Sequence, residues 1–324
     1  MIVVIGKVPP PIGGVTIYVE RLIENLKVSG RKVVYIKLTF KNILLSFIII
    51  QNAHIIHLIA SHPFVRLYYG LLCKIRRKNI VITYTDNIGE FPNPFYNYIN
   101  KLSLKLATIP VVLNKTSLQV GLKFNAQTKV ASTFIPPEID NSNLENLKME
   151  LEGTVLDYKE IFCTNAFAYC LDKSGMELYG ILPLIAIFNK ITDKALIICD
   201  PSGTYKEYCD NHEIRVSNNI RILSNNSFSF IDVVQLSNCV IRATTTDGDS
   251  LSIHEALFLG KDVLCSDCVD RPNECNLYKT GDFDELREKI IQYNKGTSES
   301  HLITSENGFT QMLNVYDELL ADKK

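Results

Sequence analysis

Residues Asn238-Cys-Val-Ile-Arg-Ala-Thr-Thr-Thr-Asp-Gly-Asp-Ser-Leu-Ser-Ile-His-Glu-Ala-Leu-Phe-Leu-Gly-Lys-Asp-Val-Leu-Cys-Ser-Asp267 decide how the rest of the chain is read. The apolar run from Asn238 to Ala243 has the make-up of a short buried strand, and the polar run Thr244–Ser250 breaks it. Ser250 or Ser252 can cap a helix that runs to Leu259, where Gly260 stops it. Lys261 to Cys265 begins the next strand. Strand, loop, helix and strand in this order form the unit of a parallel sheet. The loop opens onto a helix N-terminus, where unpaired backbone N–H groups and the helix dipole favour an anion. Two acids flank that anion site, Asp247 in the loop and Glu255 eight positions later in the helix. A phosphate would take the helix end, which leaves the acids to accept hydrogen bonds from sugar hydroxyls. The plain alternative is a capped amphipathic helix with solvated acids.

An acid, seven intervening residues, then Glu255-Ala-Leu and a glycine before a strand resembles the donor-site motif of family-4-type retaining glycosyltransferases. Ser266-Asp267, Arg271-Pro272 and Gly281-Asp282 also look like that family. The resemblance implies the GT-B fold, α/β with two Rossmann-like domains facing each other across a cleft. It also implies that Glu255 holds the donor ribose and that Asp247 contacts the sugar being transferred. The family usually has Glu at the first position, so Asp247 is one carbon shorter.

The chain has 324 residues, enough for two domains of ordinary size, and at 46% hydrophobic and 21% charged it has a globular composition. The net charge of −1 hides an asymmetry. Residues 1–150 carry 18 Lys and Arg against 8 Asp and Glu, and residues 151–324 carry 16 against 27. A basic first half suits an anionic membrane surface or a lipid phosphate, although charge drift between two domains gives the same numbers. Nine scattered cysteines read as buried thiols in a reducing compartment. Cys265 and Cys268 have the spacing of a redox or metal pair, but no second pair follows. Met1-Ile-Val-Val-Ile-Gly reads as a first strand rather than a secretion signal, and no apolar run is long enough to span a membrane.

After that first strand comes Gly6-Lys-Val-Pro-Pro-Pro-Ile-Gly-Gly-Val15, and then a helix from Thr16 to Val28. Gly13 and Gly14 let the backbone approach a ligand closely at the helix start. The loop resembles the N-terminal Gly-Gly loop of the same glycosyltransferases, which faces the donor phosphates and the acceptor. The spacing of a dinucleotide fingerprint is absent. A helix over residues 40–51 is expected to pack in the core rather than insert at a membrane. A second helix, over 68–78, ends in Lys74, Arg76, Arg77 and Lys78, cations that favour a helix C-terminus or meet lipid headgroups. The strand at 79–84 exits into Thr85-Asp-Asn-Ile-Gly-Glu90. The family often has a His in that loop, and here Thr85 matches it with Asp86 beside it. Asp86 would have to replace that His, or the reaction is assisted otherwise. A helix is expected over 102–107.

Residues 138–153 are polar and read as a linker. The domains expected are 1–150, the acceptor domain with its linker; 151–305, the nucleotide-sugar domain; and 306–324, a helix crossing back to the first. After the strand at 160–164 the family supplies an Arg and a Lys to the donor pyrophosphate. Only Lys173 is a candidate here, and Ala168 or a neighbour stands where the Arg is expected.

These readings combine into a retaining hexosyltransferase that takes a nucleotide-sugar as co-substrate and needs neither metal nor cofactor. The donor diphosphate would rest on the backbone N–H groups of Gly248, Asp249, Ser250 and Leu251, near Lys173 and the Gly13-Gly14 loop. Asp247, Glu255 and Asp86 are the expected catalytic residues. The acceptor implied by family habit is a saccharide, lipid-linked, in O-antigen or capsule-type surface-polysaccharide synthesis. The expected location is cytoplasmic, peripheral on the inner face of the plasma membrane, with an anionic membrane surface as a further partner and no nucleic acid. Two other functions fit the same residues: a nucleotide-sugar epimerase of the same fold, and a non-catalytic partner of an active transferase.

Overall fold

The computed structural model describes residues 1–324 except Pro92, Asp140 and residues 225–227, 295–306 and 322–324; the side chains of Phe40 and residues 44–47 are likewise left aside. The chain divides into two compact units, Met1–Pro137 with Glu306–Lys324, and Glu138–Ser305. The expected junction at 305–306 falls outside the described residues.

The first unit alternates β1 (Ile2–Gly6), α1 (Gly14–Val28), β2 (Val33–Lys37), α2 (Phe40–Ile49), β3 (Ile55–Ile59), α3 (Pro63–Ile75), β4 (Asn79–Tyr84), α4 (Pro94–Leu106), β5 (Ile109–Val112), α5 (Lys115–Leu122) and β6 (Lys129–Val130). Its strands pair in parallel in the order β2-β1-β3-β4-β5-β6. Successive strand side chains face opposite ways, and both faces of this sheet are buried. Val3, Ile5, Ile56, Leu58, Ile80 and Ile82 pack under α3 and α4, whereas Ile2, Val4, Ile55, Val81, Ile109 and Val111 pack under α1. This explains why the strands read as continuous apolar runs rather than alternating ones.

The second unit runs α6 (Leu144–Leu151), β7 (Glu160–Asn165), α7 (Ile181–Phe188), β8 (Lys194–Cys199), α8 (Thr204–Asn211), β9 (Ile220–Leu223), α9 (Phe230–Leu236), β10 (Cys239–Arg242), α10 (Leu251–Phe258), β11 (Asp262–Ser266), β12 (Asn276–Tyr278) and α11 (Phe283–Gln292). Its parallel sheet has the order β12-β11-β10-β7-β8-β9. The last helix, α12 (Gly308–Ala321), packs on the first unit, burying Met312, Val315, Tyr316 and Leu319 beside α1. Gly308 donates its N–H to Phe134 O at 2.7 Å. A Cβ on Gly308 would lie 2.1 Å from Ser132 O, so only glycine permits this approach. Farther along α12, Tyr316 Oη lies 2.6 Å from His57 Nδ1, and His57 Nε2 lies 2.7 Å from Thr83 Oγ1.

Three expectations need correction. Residues 138–153 are not a bare linker. They carry α6, whose Leu147 and Leu151 are fully buried in the core of the second unit, so the division falls at Pro137/Glu138 rather than at 150/151. Helix α4 begins at Pro94 rather than Leu102, because Asn93 Oδ1 accepts the Phe95 N–H and Pro94 takes the first helical position. Helix α3 begins at Pro63 rather than Tyr68 because Pro63 likewise takes the first helical position, here without a side-chain cap from His62, and it ends at Ile75 before Arg77 turns left-handed at φ 52°. Among the described residues, no helix is long and apolar enough to cross a membrane.

Candidate functional site

In each sheet the strand order reverses once, between β1 and β3 and between β7 and β10. Open parallel sheets bind ligands at the carboxyl ends of the strands beside such a reversal. The loops leaving β1, β7 and β10 hold most of the candidate residues, which gives each unit one place to look.

In the second unit, the loop after β10 folds over its own acid. Arg242, the last residue of β10, donates from Nε to Asp247 Oδ2 at 3.0 Å, and Arg271 Nη1 donates to the same oxygen at 3.2 Å. The Gly248 N–H reaches Asp247 Oδ1 at 3.1 Å, and Thr244 Oγ1 lies 3.4 Å from Oδ2. Burial pushes the Asp247 pKa up, and the two guanidiniums overcome that and hold it below the ordinary carboxylate value. Arg242 also reaches Asn165 O and Oδ1 at the end of β7, and Arg271 reaches Ser266 O at the end of β11. Two arginines and one aspartate thus tie three strand ends together.

Two helices start at this reversal, and their N-termini differ. Glu177 occupies that of α7: its carboxylate accepts the N–H groups of Ile181 at 2.8 Å and Leu182 at 2.9 Å, and the Tyr205 hydroxyl at 2.6 Å. Gly180 stands there at φ 67°, and a Cβ on it would lie 2.6 Å from Ala243 O. Ser250 precedes α10 in an extended conformation, and its side chain makes no cap. Its Oγ lies 2.9 Å from Ser252 Oγ instead. Asp249 meets His254 Nε2 at 2.5 Å, fastening the loop to the helix. Glu255 is buried in the second turn of α10.

Lys173 is exposed at the tip of a small hairpin closed by the Leu171–Glu177 bridge. Asp172 sets this turn, accepting from Ser174 N, Ser174 Oγ and Met176 N. Hydrogen bonding from Ser174 is the main reason its pKa falls to about 2. The Thr245 N–H bonds to Leu178 O at 3.0 Å, which holds the base of the hairpin against the loop before α10. The structure therefore gathers Lys173's hairpin, Asp247 and residues 248–251 at one end of one sheet.

In the first unit Gly13 precedes α1, and its N–H bonds to Thr16 Oγ1 at 3.0 Å. Asp86 lies in the loop after β4, two strands away from β1 and so ~10 Å along the sheet. Arg66, completely buried, holds it: Nη1 donates to Asp86 Oδ2 at 3.1 Å and Nη2 to Oδ1. The same guanidinium donates to Ala60 O and Asn100 Oδ1 and lies over the Tyr84 ring. Asp86 keeps a 24% exposed side chain.

The sequence reading missed Arg66, Arg242, Glu177 and His254, and gave Arg271 no role. One signal was available for Arg66: it shares a helix face with Tyr69 and Cys73, an apolar stripe on which a charge needs a partner. Cys265 and Cys268 do not form a pair. Cys265 is buried at the end of β11 and Cys268 Sγ receives Arg271 Nη2 at 3.3 Å. Among the described residues no three His, Cys, Asp or Glu side chains are grouped as a metal site requires.

No protein-family model matches the chain, and no curated protein matches it in sequence. Solved structures do match it in fold. HepE of Anabaena in complex with UDP-glucose is 13% identical, with a TM-score of 0.69 over 99% of each chain. Sucrose-phosphate synthase from Thermosynechococcus elongatus is 14% identical, with a TM-score of 0.71 over 99% of this chain and 100% of that one. The lipopolysaccharide outer core galactosyltransferase WaaB is 13% identical, with a TM-score of 0.62 over 100% and 99%. The α/β fold, with its two parallel six-stranded sheets and alternating helices, is that of the GT-B glycosyltransferases.

Proposed function

We propose that this chain moves a sugar from a nucleotide-sugar donor to a saccharide acceptor, with retention at the anomeric carbon and without a metal. One observation carries the reading. At the reversal of the second sheet α7's N-terminus is filled by Glu177, while α10's carries no side-chain cap and stands beside two arginines that share one aspartate. A diphosphate fits this combination of backbone N–H groups and nearby guanidiniums. Its pyrophosphate would rest on residues 248–251, with Lys173 reaching it from the hairpin. The bond from the anomeric carbon to the diphosphate oxygen breaks, and the new glycosidic bond forms on the same face. The negative charge growing on the leaving diphosphate is what the helix end and the cations meet.

Glu255 is assigned to the donor ribose. Asp247, already receiving two arginines, acts by positioning them and the loop. Asp86, held in place by Arg66, offers its exposed edge to an acceptor hydroxyl. The guanidinium of Arg242 at the end of β7 offsets the lack of a basic residue at Ala168. The acceptor we favour is a lipid-linked saccharide of a surface polysaccharide. The protein would then work as a peripheral enzyme on the cytoplasmic face of the plasma membrane.

The test incubates the protein with UDP-, GDP-, ADP- and dTDP-sugars, with and without a membrane lipid extract, and measures free nucleotide and sugar products. Release that requires one donor and the extract, and that disappears in Glu255→Ala, is the expected result. Donor isomerised without extract would identify an epimerase instead. The occupied carboxylate of Asp247 favours a second reading, a non-catalytic partner of an active transferase, and failure to bind any donor would put that reading first.

A further inference from the structure

The two helical layers of the first unit differ in charge. From Asn25 to Pro137 the sequence contains only two acids, Asp86 and Glu90, against fifteen Lys and Arg. Both acids lie in the loop after β4, and Asp86 is taken by Arg66. Helices α2, α3 and α4 therefore contain no acid at all. The layer on the other side of the sheet, α1 and α12, carries Glu20, Glu24, Asp317 and Glu318.

The acid-free layer is continuous. Tyr68 Oη of α3 donates to Ile43 O of α2 at 3.1 Å, and the Phe64 and Phe95 rings join α3 to α4 at 6.0 Å. At Gly70 the two helices approach so closely that a Cβ would lie 2.9 Å from Leu106 Cβ. Its outer surface is not the usual solvated helix face. Ile48, Leu71, Ile75, Phe95 and Tyr98 are all exposed, Ile75 by 76%. Lys74, Arg77 and Lys105 stand exposed among them. On α3 the exposed residues run from Phe64 to Ile75, ~16 Å of helix.

We propose that this face docks on an anionic lipid bilayer, with the lysines and Arg77 at the headgroups and Ile75, Leu71, Phe95 and Tyr98 in the interface. Charge complementarity selects the partner: basic side chains without any acid attract a negative leaflet, and aliphatic and aromatic side chains between them have a use only where there is an apolar boundary to enter. A second copy of the same face would set like charges together. A nucleic acid would use the cations and leave Ile75 and Leu71 idle. The inference deepens the membrane location proposed above by naming its surface, and it does not depend on turnover.

Flotation with vesicles of phosphatidylcholine, and of phosphatidylcholine with 30% phosphatidylglycerol, tests it on the whole chain without donor or acceptor. Binding to the anionic vesicles only, weakened by 0.5 M salt, is expected. The double variant Lys74→Gln/Lys105→Gln loses two charges and should bind about 25-fold more weakly. Ile75→Ser/Tyr98→Ser should also weaken binding, and both variants should keep the wild-type thermal transition. Equal binding to neutral vesicles would overturn the proposal, as would unchanged binding by either variant. A dimer in sedimentation velocity that Ile75→Ser dissolves would make the face a contact between copies. A chain that turns over donor but ignores vesicles sinks this inference alone; one that binds vesicles but no donor sinks only the transferase reading.

Discussion

Asp86 and Asp247 each lie in a loop at the carboxyl end of a strand, one in each sheet, and both are held by arginines, yet the number of arginines differs. Arg66 meets Asp86 one to one, and the carboxylate stays 24% exposed. Asp247 meets Arg242 and Arg271 together and is 10% exposed. The first unit thus presents a partly exposed carboxylate, and the second presents two arginines beside a helix N-terminus. An acid in an exit loop does not announce its role; its counter-charges do. A one-to-one pair leaves an acceptor for a hydroxyl, whereas a two-to-one cluster leaves room for an anion.

Arg66→Ala breaks the first pair most severely. The side chain is fully buried and its donors reach Asp86, Asn100 and Ala60. Removing it leaves those acceptors without their donor and opens a cavity. Losing one partner of a buried ion pair costs about 3–5 kcal/mol, so urea unfolding should show the first unit destabilised by that amount. A loss below 1 kcal/mol would mean that Asp86 is held by something else, and the comparison would fail.

Asp247→Asn probes the other side. Asn keeps the shape and one oxygen acceptor but leaves two guanidiniums without a counter-charge. If Asp247 is there to hold the arginines, the variant should lose about 2–3 kcal/mol without ligand. A saturating nucleoside diphosphate should restore most of it, because the anion replaces the missing charge. By linkage the diphosphate should then bind the variant at least about tenfold more tightly than wild type (~1.4 kcal/mol or more). If Asp247 instead contacts the transferred sugar, stability and diphosphate binding should stay near wild type while kcat collapses. A thermal melt with and without UDP, paired with a donor titration, separates the two.

The sequence made the strands legible because both faces of each sheet are covered, so runs such as Ile2–Ile5 and Ala195–Ile198 are apolar throughout. It made α10 legible through Ser250 and Gly260, local signals that need no tertiary information. Helix α6 escaped notice because two buried leucines, Leu147 and Leu151, carry its packing within a segment otherwise polar. The arginine clusters escaped notice for a different reason. Asp247 meets Arg271 across 24 positions and Asp86 meets Arg66 across 20. Such pairings follow from which strands are neighbours, and composition does not encode that order.

Acid stability should divide the two units along the same line. His57, completely buried against Tyr316 and Thr83, has its pKa lowered by desolvation to about 3. The unfolded chain binds that proton near pH 6.5, so between about 6.5 and 3 the unfolded state holds more protons than the native one. Stability of the first unit is therefore lost as pH falls through this window, by about 2 kcal/mol at pH 5. The second unit contains no fully buried histidine among its described residues. Its cited carboxylates, Asp247 and Asp172, have lowered pKa values, so their contribution persists until pH falls to about 4 and below. Hydrogen exchange at pH 5 against pH 7.5 should open β3, β4 and α12 before β7 and β10. His57→Gln should flatten the slope between pH 5 and 6.5, since Gln keeps polar contacts to Tyr316 and Thr83 but binds no proton. If both units open together with the same pH dependence, the buried histidine is not what makes the first unit the more acid-labile of the two.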